Sequence, residues 1–246
     1  MKKNKPRLAS VLDRLEEHYG AQEAVGPSDP YEMILFINCG YPATDASCSK
    51  GYEPLKREIG IKSKEILAAP KEKLARLTRA GGMMPELRAE RLKTIARIVN
   101  EEFGGKLKWS IEKLMQAEED EAGKGIRRVK KALKEFPTIG EPGADKILLF
   151  AGLAPVAAVP SACTGVPQRI LFGSENKNYA AGYRAAQEAM RAELSETFEA
   201  RQRAYLLLKR HGQEICKRTK PKCEICPVSR MCRYFEQKKT TRGVDC

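Results

Sequence analysis

The strongest constraint on the fold is the run CKRTKPKCEICPVSRMC near the C-terminus. It sets Cys216, Cys223, Cys226 and Cys232 in a C-x6-C-x2-C-x5-C pattern. Four thiolates in one short loop can converge on a single metal centre, and Pro227 restrains the backbone after the third. Zinc and iron–sulfur clusters both use four cysteines. Structural zinc sites usually pair two tight knuckles; this loop has one, and its wider arms suit a larger cubane. The competing explanation is disulfide pairing. The N-terminal stretch MKKNKPRLASVLDRLEEHYG is basic and then amphipathic, without the apolar core of a secretory signal. A cytoplasmic setting is therefore expected, and structural disulfides are disfavoured there. Cys39, Cys48, Cys163 and Cys246 fit no ligand spacing and are expected to be buried or incidental thiols.

Charge narrows the partner. Lys and Arg number 45 against 32 Asp and Glu, a formal net charge of +13 over 246 residues. Such a surplus favours a polyanion, because neutralising phosphates releases condensed counterions. The bland alternative is a solvated basic surface. No apolar run approaches a membrane span, so a membrane role is not expected.

The hydrophobic pattern is helical nearly throughout, which predicts an all-α protein. Leu8, Val11, Leu12 and Leu15 recur at helical spacing until GPSDP stops them. Asp29 before Pro30 predicts a capped helix start. Amphipathic segments follow at Ser63–Leu67, Lys71–Arg79, Glu86–Phe103 and Trp109–Gln116. GIRRVKKALKEF carries Ile126, Val129, Leu133 and Phe136 on one face. Leu153 to Gly173, rich in Pro, Ala and Val, is expected to be irregular. Tyr179–Ser195 and Ala200–Cys216 are the last long helices expected.

FPTIGEPGADKILLFAG has the form of a helix–hairpin–helix that grips a phosphate. Gly140 can adopt a positive φ and lets the backbone come close, so amides of Ile139, Gly140 and Gly143 are candidates for a phosphate oxygen. The next helix adds its positive end, and Pro142 in its first turn removes no needed amide. An ordinary tight turn is the alternative.

The cysteine loop, with YLLLKRHGQEIC before it, closely resembles the cluster loop of endonuclease III-type DNA glycosylases, the helix–hairpin–helix superfamily, and FPTIGEPGA is similar to that family's hairpin. The resemblance implies a [4Fe–4S] cluster on the four cysteines, with Lys217, Arg218, Lys220 and Lys222 as DNA contacts and Arg230 and Arg233 nearby. It implies two helical domains: a six-helix barrel over 29–152, with the hairpin at 126–152, and a cluster domain built from 1–28 and 153–246, its loop at 216–232. It further implies a monomer on double-stranded DNA, damaged or distorted, in base-excision repair. DPYEMILFINCGYPATDAS looks like the family's early helix and lesion pocket, which assigns Tyr41, Pro42, Thr44 and Asp45 to that pocket. GGMMPELRAERLKTIARIV resembles a further family helix. His18 and His211 stand apart from any ligand pattern and are expected only to pack.

The pattern departs from the family where chemistry is needed. Bifunctional members place a Schiff-base Lys two residues after the hairpin Gly, and here that residue is Pro142. The family's aspartate stabilises the oxocarbenium-like sugar or activates the nucleophile. Its best match is Pro160, with Ser161 next and Arg169 at the family's later arginine, and no carboxylate lies between Asp145 and Glu175. Ile37 occupies the position where adenine glycosylases use a Glu, and Tyr41-Pro42 stands where the family commonly has Ala-Gln. The first expectation is an atypical member that recognises damaged or distorted DNA with reduced or altered chemistry. The second is an active glycosylase or lyase using Lys146, one turn beyond Pro142, and Asp145; the plainer role for these two is to solvate the helix. A redox-sensing regulator built on the cluster comes last, since it would need no phosphate grip.

Overall fold

The computed structural model describes residues 7–40, 44–116 and 123–242. Tyr41, Pro42 and Cys246 lie outside them. The described residues form thirteen α-helices and no strand, as the periodicity requires. In order they are α1 (Leu8–Tyr19), α2 (Pro30–Asn38), α3 (Asp45–Glu58), α4 (Ser63–Ala68), α5 (Lys71–Thr78), α6 (Pro85–Glu102) and α7 (Leu107–Gln116). Then come α8 (Lys124–Leu133), α9 (Glu141–Phe150), α10 (Gly165–Phe172), α11 (Tyr179–Glu193), α12 (Phe198–Glu214) and α13 (Arg233–Arg242). The chain divides into two compact units, Val25–Leu153 and Met1–Ala24 with Ala154–Cys246.

The central unit holds α2 to α9. The Asp29 carboxylate accepts from the amides of Tyr31 and Glu32 at 2.9 and 3.1 Å, the cap expected ahead of Pro30. Ile34, Leu55, Ile66, Leu74, Leu92 and Ile147 fill the core without exposure. The C-terminal end of α2 is tightly enclosed. Gly51 and Gly81 both back onto the Cys39 carbonyl, where any Cβ would collide. Helix α3 was not expected, because Gly51 and Pro54 interrupt its pattern; the Thr44 hydroxyl caps it by accepting from the Ser47 amide at 3.3 Å.

In the other unit, Leu8, Val11, Leu12 and Leu15 are at most 1% exposed and pack with Ala186, Met190, Leu207 and Leu208. Burying four such side chains contributes roughly 6–12 kcal/mol toward holding α1 on the C-terminal helices. Arg203 of α12 reinforces this through Glu16 at 2.7 Å and Asp13 at 2.9 Å.

The expected irregular stretch 153–173 needs correction, for its last part is α10. Pro167 disguised that helix, yet it sits in the first turn, where a missing amide breaks no intrahelical bond. Helix α13 was likewise unexpected.

Candidate nucleic-acid interface and metal centre

The hairpin joins α8 to α9. Phe136 and Ile139 are 2% and 4% exposed and anchor it from beneath, with Phe103 stacked on Phe136 at 6.0 Å. Its left-handed residue is not the expected Gly140, whose φ of −96° and ψ of −169° are extended. Thr138 takes that role with a φ of 67°. A branched residue there is strained, and local bonds compensate. The Thr138 hydroxyl donates to Asn38 Oδ1 at 3.2 Å, while Asn38 Nδ2 donates to the carbonyls of Pro137 at 3.1 Å and Ile34 at 3.0 Å. Buried Asn38 thus fastens the turn to α2, a role no sequence pattern marked.

Gly140 begins α9 without any side-chain cap. A Cβ on Gly140 would come no closer than 3.9 Å to its nearest neighbour, the Pro142 ring. A close approach there is therefore unobstructed, and α9 presents its amide-rich, positive end. Glu141 would oppose an anion, but its carboxylate is drawn back by Lys130 and by Lys134 at 3.0 Å. Burial alone would raise the Glu141 pKa; the two lysines outweigh it and hold it below the usual value. Gly143 packs near Ile139.

Asp145 is corrected from a candidate catalytic carboxylate to a fold element. Its side chain is 1% exposed and meets Lys130 Nζ at 2.8 Å, so it ties α9 to α8 and is closed to a substrate. Burial lowers the Lys130 pKa, but bonds to Asp145 and Glu141 raise it above the ordinary value. Lys146 comes to 3.9 Å from Asp45, at the start of α3, with both side chains about four-fifths covered.

The four loop cysteines, each half-buried, line one small cavity of about 20 Å³ together with Arg169, His211 and Tyr234. Cys216, Cys226 and Cys232 rest against the core of their unit. Among the described residues no three His, Cys, Asp or Glu side chains group closely enough to hold a metal ion. Four thiols facing one cavity are the donor set that a four-cysteine metal centre would use. Burial raises the thiols of Cys216 and Cys232 and pushes Cys226 up to about 12. A metal would have to displace those protons.

Arg169 of α10, 5% exposed, organises the loop. Its guanidinium donates to the carbonyls of Cys216 at 3.3 Å, Lys217 at 2.8 Å and Arg218 at 2.9 Å, and to Cys216 Sγ at 3.5 Å. Its Nε donates to Glu175 at 2.7 Å. Lys217, Arg218, Lys220, Lys222 and Arg230 are exposed, and Arg233 is half-buried. His211 is fully enclosed; burial holds its imidazole neutral, with the pKa lowered to about 4. Cys39, Cys48 and Cys163 are buried.

Pro160 is buried ahead of a short turn, and Thr164 is the residue that begins α10. The carboxylate of Glu175 lies against Gly165, at the edge of a cleft of about 150 Å³ lined by Ser161, Thr164, Arg169, Lys177 and Tyr179. Sequence reading passed over Glu175 because it follows α10 in the chain.

An all-helical chain with a hairpin presenting an open helix start, and a four-cysteine loop in its other unit, defines a helix–hairpin–helix protein. No family model matches it. It is 29% identical over 219 residues to a thymine/uracil-DNA glycosylase of Methanothermobacter thermautotrophicus, covering 86% of this chain and 85% of that one. Endonuclease III of Thermotoga maritima is 22% identical over 211 residues, with 86% of each chain covered. Among solved structures, a non-covalent endonuclease III–DNA complex superposes with a TM-score of 0.71 at 18% identity, covering 96% of this chain and 99% of that one. By sequence and by fold the chain is similar to endonuclease III-like DNA glycosylases.

Proposed function

We propose that the protein binds double-stranded DNA as a monomer and recognises a damaged or distorted site, as in base-excision repair. The observation that carries this reading is the open start of α9. Gly140 leaves it unobstructed, no side chain caps it, and Lys130 of α8 and Lys134 just beyond it turn its one carboxylate away. Ile139, Gly140 and Gly143 would receive a phosphate there, and the exposed Lys217, Arg218, Lys220 and Lys222 would take others. Thr44 and Asp45 belong to the lesion pocket on this reading. Cys216, Cys223, Cys226 and Cys232 would hold a [4Fe–4S] cluster, which braces their loop. Among the described residues no helix is long and apolar enough to cross a membrane.

The chemistry differs from that of a lyase. Pro142 has no amine, so no Schiff base with the sugar is expected from the hairpin position. Glu175 favours a second reading, hydrolytic base release. In that step the C1′–N bond breaks with its electron pair leaving on the base, and a water oxygen bonds to C1′. The water gives one proton to the Glu175 carboxylate, which returns it through solvent to the departing base. The relative named a thymine/uracil-DNA glycosylase makes duplexes carrying a test thymine or uracil the natural first substrates.

The test is a panel of matched, mismatched, abasic and base-damaged duplexes assayed for binding, base release and borohydride trapping. Preferential binding to an altered duplex, without trapping, is expected. Equal affinity for all duplexes contradicts lesion recognition, and trapping lost in Lys146→Ala would establish the amine after all. Base release lost in Glu175→Gln would establish the hydrolytic reading.

A further inference from the structure

Tyr19 ends α1, and its hydroxyl oxygen lies 3.0 Å from Nδ1 of His211, in the last turn of α12. The opposite ring nitrogen, Nε2, lies 3.6 Å from Sγ of Cys226. The imidazole is fully enclosed and so spans from the N-terminal helix to the cysteine loop with both nitrogens occupied. Nothing in the proposed function uses this line of contacts.

A neutral imidazole has one N–H donor and one acceptor. With Nδ1 3.0 Å from the Tyr19 oxygen and Nε2 3.6 Å from Cys226 Sγ, the enclosed ring is held at both edges and fixes where that sulfur sits. Outer-sphere partners of this kind orient metal ligands, and hydrogen bonds to cluster sulfurs shift the reduction potential.

We infer that Tyr19 and His211 form an outer-sphere relay that orients Cys226 and places an N–H···S bond on the cluster, which makes the N-terminal helix part of the cluster's environment. The inference rests on the proposed [4Fe–4S] assignment. Both are positioning residues, because they act through Cys226. An N–H···S bond stabilises the more negative, reduced cluster, so its loss makes reduction harder.

The experiment uses DNA-free full-length protein. Iron and zinc content, visible absorbance and midpoint potential are measured for the wild type and for Tyr19→Phe, His211→Leu and His211→Gln. The expected result is a lower potential in Tyr19→Phe and His211→Leu at unchanged iron content. His211→Gln, whose amide can still donate to sulfur, should return toward the wild type. If His211→Leu loses its cluster on purification, Tyr19→Phe, which removes one oxygen, decides. Iron-loaded wild type and Tyr19→Phe with equal potentials overturn the relay and leave the cluster assignment standing. Wild type holding zinc alone, or no metal, overturns the assignment and the relay with it.

Discussion

Lys130→Met tests what holds the hairpin's two helices together. Lys130 on α8 meets Asp145 on α9 at 2.8 Å, and these side chains are 14% and 1% exposed. Removing the ammonium takes its counter-charge from a carboxylate with almost no access to water. Breaking a buried pair from one side destabilises by about 3–5 kcal/mol. That is a large part of the roughly 5–15 kcal/mol that holds a typical domain. For a chain of this size the melting temperature should fall by about 10 °C. Replacing both partners, as Lys130→Met with Asp145→Leu, should recover most of the loss, because a well-packed apolar pair is often as stable as the ion pair. Urea denaturation of the wild type, the single variant and the double variant checks the sequence. A single variant within about 1 kcal/mol of wild type, or a double variant less stable than the single, would refute the assignment of this pair to the fold.

Three further outcomes follow from the same geometry. Gly140→Val, at an extended position with no obstruction to its side chain, should unfold within about 0.5 kcal/mol of wild type yet bind duplex about tenfold more weakly by fluorescence anisotropy. Glu141, whose pKa is held below 4.5, contributes stability that is present above that value and lost as pH falls through the lower folded value. The stability gap between wild type and Glu141→Gln should therefore shrink on acidification below about pH 4.5, and high salt should shrink it further because Glu141 is 43% exposed. Arg169→Met should release the carbonyls of residues 216 to 218 and lower the iron that the proposed cluster would retain through gel filtration, whereas full retention would show the loop to be self-supporting.

Much of this was legible in the sequence because it rests on local rules. Leu8, Val11, Leu12 and Leu15 announce α1 by spacing alone, and Asp29 before Pro30 announces a cap that forms as expected. The cysteine loop and the hairpin are short motifs whose spacing survives without structural knowledge. What stayed hidden depends on residues distant in sequence. Thr138 bends the hairpin in place of Gly140 because Asn38, a hundred residues away, accepts its hydroxyl hydrogen. Asp145 looked available as a carboxylate until α8 closed over it with Lys130. Pro167 masked α10, since a proline in a first turn and a proline that breaks a helix read alike. Glu175 reaches the start of α10 only because the chain folds back after Gly173, and no periodicity marks that return.

The most direct test of the central claim, a duplex-binding protein that reads phosphates through the hairpin and the basic cysteine loop, is a salt titration of affinity. If the four loop cations each neutralise one phosphate, log Kobs should fall against log salt with a slope of roughly −3.6, a loss of about a hundredfold between 50 and 200 mM. Steeper dependence would add the hairpin's contribution. An affinity that barely changes over that range would contradict the account.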